Sequence, residues 1–334
     1  MLSELFIIIN PNANTGKLGK KLESAFTLAK EYLGDFEYAV TERPQQETEL
    51  ATEAIKKGYK ILVALGGDGT ATNIGDSIIG HPDVTLGLLS AGSMCDWHRT
   101  HSIPYDLEGS LKILVEGHSE KFPAIKCSGD KTHYAFDMTD GGFTGKAAAA
   151  AHYEMKWMKI GLIKYNYLAL KYVLKFKNTS AKITLDDRDP IEIPDLTNVF
   201  AAIGDDISGF HVMPSNGAYS QKNKDLGVVI AHGMKGLNRV KMLIKAIPGN
   251  HVGMKGMHFD RCKKMIVETE FPLCWENEGE IYNENSKKVE IERIDDAIKV
   301  IVPKDRTYKI DYNEEIYLQK FEESFTKRKF KKFT

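Results

Sequence analysis

Cysteine is scarce in this chain: four in 334 residues, Cys95, Cys127, Cys262 and Cys274, with no C-x-x-C pair among them. That spacing suits reduced thiols in a cytoplasmic setting better than a disulfide framework or a zinc ribbon. No apolar run reaches the roughly 18 residues that a membrane-spanning helix needs. The apolar pentapeptide Leu5 to Ile9 lacks a basic flank and is too short for a signal peptide. Net charge is missing as well. Forty-five Lys and Arg against 46 Asp and Glu leave −1, without the basic excess that phosphate neutralisation demands, so no nucleic-acid partner is expected. There is no Walker A loop and no G-x-G-x-x-G fingerprint, which argues against P-loop NTPases and ordinary dinucleotide dehydrogenases. Internal repeats and low-complexity linkers are absent too. The length is about twice that of one ordinary domain, and the 42% hydrophobic content is that of a globular chain.

What is present divides into two textures. Leu5 to Ile9 is a β-branched run of the kind covered on both faces of a sheet. Leu18, Leu22, Phe26, Ala29 and Leu33 then recur at helical spacing until Gly34. The pattern continues with a strand at 37–40, a helix at 45–57, a strand at 61–65 that breaks into glycines, and a strand at 84–89. Alternation of this kind predicts a doubly wound, mostly parallel sheet covered by helices. Beyond Pro123 two helices remain plausible, at 146–158 and 165–176. Short apolar runs follow at 181–185, 199–203, 226–231, 264–269, 289–294 and 298–302, which predict a β-rich antiparallel sandwich. The expected domains are 1–121 and 122–309, with 310–334, helical over 314–330, packing back on the first.

The most informative pentapeptide is Gly66-Gly67-Asp68-Gly69-Thr70, directly after a predicted strand. Its glycines let backbone amides approach an anion, and a helix starting near Thr70 adds its positive end. A carboxylate, Asp68, in such a donor-rich turn competes with phosphate unless a hard cation such as Mg²⁺ takes oxygen from both. Asn10-Pro11-Asn12-Ala13-Asn14-Thr15-Gly16-Lys17 again sets small polar residues before a helix, on the same carboxyl edge of the sheet, where open α/β sheets bind ligands.

Together these segments resemble the diacylglycerol kinase catalytic-domain family, which includes bacterial diacylglycerol kinases and has sphingosine and ceramide kinases as relatives. Asn10-Pro11 with Gly16-Lys17 resembles its first nucleotide-binding segment, Thr41 its nucleotide-contacting threonine, and Gly66 to Thr70 its GGDGT signature. Leu86 to Pro104 aligns without a gap with the family pattern LGIIPxGTGNDFARxLGIP and includes Gly92, Ser93 and Asp96. A fainter likeness runs through Gly209 and Pro214 to Glu278-Gly279-Glu280, the counterpart of a late D-G-E.

The resemblance implies a kinase of the NAD kinase/diacylglycerol kinase-like fold that uses ATP and Mg²⁺. In it Asp68 and Glu278 would hold metal, and Glu280 would accept the proton of a diacylglycerol-like or long-chain alcohol. By their own residues alone, Glu278 and Glu280 read as a solvated turn in an acidic stretch. The chain departs from the pattern in Gly92-Ser93-Met94-Cys95-Asp96, which loses a glycine and an asparagine, and in Thr72-Asn73, which replaces an Asn-Glu pair. Two alternatives stay open: an NAD kinase-like phosphotransferase, since NAD kinases share GGDGT, and, from the departures, a nucleotide- or lipid-binding member without activity.

Two weaker signals remain. Cys95, His98 and His101 are spaced by three, which suggests zinc, but a fourth ligand is not evident. The segment Lys327-Arg328-Lys329-Phe330-Lys331-Lys332-Phe333 places cations around aromatics, as a contact with an anionic inner membrane surface would, or as a solvated tail would. Expected partners are therefore ATP, a lipid alcohol and that surface, with a homodimer left open.

Overall fold

Three isoleucines in a five-residue run form β1 (Leu5–Ile9), four of whose residues are buried. In the computed structural model, which describes residues 4–90, 96–153, 175–206, 210–213 and 216–306, this strand opens the first of two units, Met1–Ala124 with Ile294–Lys309. Next come α1 (Ala13–Lys20), α2 (Leu22–Leu33), β2 (Glu37–Val40), α3 (Gln46–Lys56), β3 (Ile61–Gly66), α4 (Asp68–Ile78), β4 (Thr85–Ser90), α5 (Asp96–Thr100) and α6 (Leu107–Glu116).

The strands run in the order β2-β1-β3-β4, all parallel, and Lys299 and Val300 pair with Thr85 and Leu86 at the far side of β4. Connections therefore leave in opposite directions from β1 and β3, which makes the carboxyl ends of these two strands the switch point where such sheets bind ligands. Leu5, Ile7, Val63, Leu111 and Leu114 pack into one buried cluster with Ala29 and Leu33 from α2.

The predicted helix over Leu18–Leu33 is two helices. The Lys21 N–H bonds Leu18 O at 2.9 Å, three residues back rather than four, and this tight turn closes α1 before α2 begins. Helix α4 begins at Asp68, two residues before the expected start, with Gly67 extended as its N-cap.

The second unit is built on Ile125–Arg293. Its elements are β5 (Ser119–Ser128, which starts in the first unit), β6 (Thr132–Ala135), β7 (Met138–Gly142), α7 (Phe143–Tyr153), β8 (Thr179–Leu185), β9 (Ile191–Ala202), α8 (Asn216–Asn223), β10 (Leu226–His232), α9 (Leu237–Ala246), β11 (Met257–Cys262), β12 (Lys264–Asn277) and β13 (Glu280–Ile301). The pairings of β6 with β5, of β7, β8 and β10 with β9, of β10 with β11, and of β7, β8 and β13 with β12 are antiparallel. The first half of β9 and the first half of β12 pair with β8, and the second half of each pairs with β7. Ile183, Val199, Ile230, Val267, Trp275 and Ile291 are buried in the cluster these strands enclose.

Beyond the predicted pattern this unit holds the strands β5, β6, β7 and β11, the helices α8 and α9, and one long β13 where two strands were expected. The described residues from Ile294 to Arg306, assigned to the second domain by pattern, fall in the first unit. The helix expected at 165–176 lies almost wholly outside the described residues, and the segment 310–334 lies entirely outside them. No described helix is long and apolar enough to cross a membrane.

Candidate active site

At the end of β1, Asn10 turns the chain out of the sheet. Its N–H bonds Leu65 O at 3.0 Å, and the Thr41 N–H bonds Ile9 O at 2.8 Å, so the ends of β1, β2 and β3 are tied together. The Asn10 side chain then organises three segments. Its Oδ1 accepts the Asn12 N–H at 3.0 Å, and its Nδ2 donates to Glu47 Oε1 at 3.0 Å and to Thr70 Oγ1 at 3.2 Å. Thr70 Oγ1 in turn donates to Glu47 Oε1 at 3.4 Å. Thr41, Glu47 and Thr70 are all buried. Pro11, Asn12 and Ala13 lead into α1. Gly16 there holds a positive φ of 78°, and Lys17 is exposed on its surface.

The Gly66-Gly67-Asp68-Gly69-Thr70 turn is shaped by this network. A Cβ on Gly66 would stand 2.5 Å from Thr70 Oγ1, so glycine is required there by the threonine folding back over it. The first intrahelical bond of α4 is Ala71 N–H to Gly67 O at 3.2 Å. The amides of Asp68, Gly69 and Thr70 therefore precede the helical ladder, where N–H groups have no partner within the helix and favour an anion.

Asp68 sits half-buried in that first turn and caps the next helix, since its Oδ1 accepts the Trp97 N–H at 3.1 Å. Trp97 also donates its indole N–H to Thr72 Oγ1 at 3.1 Å, fastening α5 to α4. Asp96 is buried and pairs with Arg99 at 3.5 Å. Gly92, Ser93 and Cys95 lie outside the described residues, as does the side chain of Asn14.

His98 and His101 are buried, and desolvation pushes the former down to about 4 and the latter to about 3. Both imidazoles are thus held neutral. Among the described residues no group of three or more His, Cys, Asp or Glu side chains is placed to hold a metal ion.

In the second unit, Glu278 and Gly279 join β12 to β13 with positive φ at both positions, 51° and 90°, and Asn277 faces Glu280 across the turn. This is the geometry of a two-residue hairpin of the primed type. A glutamate at positive φ is uncommon, and its side chain shows what holds it. Glu278 Oε1 accepts the N–H groups of Phe136 at 2.7 Å, Asp137 at 2.6 Å and Met138 at 3.4 Å. The carboxylate is therefore engaged by backbone amides, which bind the turn to the start of β7.

Glu280, half-buried, follows at the first position of β13. Just behind it lies a pair of carboxyl groups that sequence reasoning missed, Asp140 on β7 directly opposite Glu276 on β12. Burial raises Asp140 to about 6, although Thr144 and Asn198 donate to it. Burial, and then the Asp140 charge, raise Glu276 well above the usual range, with Glu280 adding to the effect. Such a pair keeps a proton between its members. Gly209 and Pro214 lie outside the described residues.

Comparison with known proteins agrees with the fold, an α/β part followed by a β-rich part. The model of the diacylglycerol kinase catalytic domain matches residues 4–127, and that of the YegS C-terminal NAD kinase beta sandwich-like domain matches residues 140–302. Residues 4–127 are thus similar to the catalytic domain of diacylglycerol kinases, and most of the remaining chain to the beta sandwich-like domain. Diacylglycerol kinases of Staphylococcus aureus strains RF122 / ET3-1 and JH9 are each 29% identical over 137 residues, which are 41% of this chain and 42% of the relative. The matched stretch thus spans less than half the length of these curated relatives. The fold is shared with the crystal structure of a diacylglycerol kinase from Bacillus anthracis str. Sterne, with a TM-score of 0.68 at 19% identity, covering 90% of this chain and 97% of that one.

Proposed function

We propose that this protein is an ATP-dependent lipid kinase that transfers the γ-phosphoryl group to a hydroxyl of a diacylglycerol-like or long-chain alcohol. The observation that carries the reading is the first turn of α4. Its amides face the switch-point edge of a parallel sheet, in a loop whose shape Asn10, Glu47 and Thr70 hold through side-chain hydrogen bonds. Phosphoryl transfer asks little covalent chemistry of a protein. It requires phosphates neutralised and aligned, and an acceptor hydroxyl that can lose its proton.

In this reading the amides of Gly67, Gly69 and Thr70 bind the phosphates. Asn10, Pro11, Asn12, Ala13, Asn14, Gly16, Lys17, Thr41, Gly66, Gly92, Ser93 and Asp96 complete the nucleotide site. Mg²⁺ fits the donor set at Asp68, because a carboxylate among anion-binding amides needs a cation to share phosphate oxygens, and Mg²⁺ is commonly held by one or two carboxylates plus phosphates. When bound, it supplies charge neutralisation at the phosphates. Asp68 holds it, and Glu280 takes the proton of the acceptor hydroxyl.

For Glu278 we assign a positioning role in place of the metal-binding one implied by resemblance. Three backbone amides already occupy its Oε1, and the turn it braces presents Glu280.

Incubation of the full chain with labelled ATP, Mg²⁺ and either a lipid extract or NAD tests this. Label is expected in the organic phase. Label in NADP would favour the NAD kinase-like alternative, and label in neither product would favour a binding member without activity. Either of those outcomes overturns the proposal.

A further inference from the structure

Helix α9 has an unusual surface for an isolated water-soluble chain. Leu237 is 80% exposed, Ile244 62% and Ile247 52%. At 3.6 residues per turn, Leu237 and Ile244 share one face of the helix, with Lys241 between them; Val240 and Ile247 lie to one side and Lys245 to the other. The opposite face holds the buried Arg239, Met242 and Ala246.

Arg239 anchors the helix rather than contributing to its outer charge. Its guanidinium donates to Met234 O at 2.9 Å, to Phe176 O at 2.8 Å and to Asn178 Oδ1. The apolar ridge is thus held outward by a buried polar anchor and is not the result of a loosely docked helix.

Charge around the ridge is of one sign. From Leu226 to Phe259 the sequence has no Asp or Glu and carries Lys235, Arg239, Lys241, Lys245 and Lys255. Lys241 and Lys255 are exposed and Lys245 is half-buried, while Lys235 pairs with Asp195 at 3.8 Å. An apolar crest with lysines on and beside it, where Asp195 offsets only Lys235, matches what an anionic bilayer offers: hydrocarbon beneath a negative surface. A second copy of this chain fits poorly, because a two-fold contact through the ridge would bring Lys241 and Lys245 towards their own counterparts.

We infer that the outer face of α9 is a docking surface for anionic membrane, with Leu237 and Ile244 entering the interface and Lys241 and Lys245 contacting lipid headgroups. It goes beyond the reading of the reaction, for it concerns where the protein stands and requires no ATP.

The test is co-sedimentation of the full chain with vesicles of phosphatidylcholine alone or mixed with an equal amount of phosphatidylglycerol, without nucleotide. Binding to the mixed vesicles is expected, weaker at high salt and weaker on phosphatidylcholine alone. The double variant L237S/I244S should lower partitioning about tenfold or more. K241Q/K245Q should lower it less steeply and flatten the salt dependence. Both pairs face solvent or rim the exposed face, and unchanged thermal unfolding checks their folding. Wild-type binding by both variants overturns the inference. So does loss of binding only when the terminal lysines Lys327, Lys329, Lys331 and Lys332 are replaced, or a dimer in sedimentation velocity that L237S/I244S dissolves without any vesicle binding by the wild type. Because nucleotide is omitted, failure here leaves the kinase reading intact, and failure of the kinase assay leaves this one readable.

Discussion

The two units build their polar machinery by opposite means. In the first, parallel strands end together, and a polar network of Asn10, Glu47 and Thr70 lies at and beyond those ends, beside the amides of a helix start. In the second, antiparallel pairing places carboxyl groups side by side within the strands, as with Asp140 opposite Glu276. Loop chemistry of the first kind tolerates charge because helix ends and solvent neutralise it. Strand chemistry of the second kind has to manage charge by sharing protons or by engaging amides, as Glu278 does. The buried titratable groups differ accordingly. In the first unit they include the imidazoles of His98 and His101, held neutral; the second has a buried imidazole of its own, His251, and adds a carboxyl pair that holds a proton.

The contrast breaks most sharply in catalysis. Asp68→Ala should abolish phosphoryl transfer, and Glu280→Gln should lower kcat by about 100- to 10,000-fold. The two should differ in binding: titration with ATP and Mg²⁺ should show affinity lost for the first and kept for the second. Equal loss of nucleotide affinity in both would remove the division of labour between the units.

Acid and base should act in opposite senses on the buried imidazoles and on the carboxyl pair, and the second unit holds one such imidazole as well, His251, which burial lowers to about 4. Burial lowers His98 from the ordinary 6.5 to about 4, so its contribution is present above 6.5 and is lost as pH falls towards 4. It is worth about 3 kcal/mol across that window. Asp140 is raised from 3.8 to about 6, so the stability tied to its protonated form is present below 3.8 and is lost as pH rises through 6. Hydrogen exchange read unit by unit across this range measures both. His98→Leu should flatten the acid limb of the first unit only, and Glu276→Gln should weaken the alkaline loss in the second.

Smaller effects sharpen the same comparison. Glu278→Ala leaves amides of Phe136, Asp137 and Met138 without their acceptor and should cost about 2 kcal/mol in denaturant unfolding, with a fall in kcat as the turn that presents Glu280 relaxes. Gly66→Ala puts a methyl group 2.5 Å from Thr70 Oγ1 and should cost about 1–2 kcal/mol while weakening ATP binding.

Legibility followed the same divide. The first unit was readable because each of its devices is local: an apolar run, a glycine turn, the start of a helix. Even there, Glu47 was hidden. It sits among Glu42, Glu49 and Glu53 as though on a solvated helix face, and only the fold turns it inward to Asn10 and Thr70. In the second unit, β7 was missed because Met138–Gly142 carries an aspartate and two glycines and has no alternation to mark it. Helices α8 and α9 were missed amid the strand signals on either side. Asp140 and Glu276 are 136 positions apart in the chain, and no spacing rule links them.

The sequence by itself determined the parallel α/β half, the position of the glycine turn at a strand's carboxyl end, and the family to which such a turn belongs, since backbone freedom and hydrophobic periodicity act over a few residues. Tertiary structure alone decided which carboxylates are exposed, which are braced by amides and which share a proton, because these depend on the residues that pairing brings opposite and on the water that burial removes.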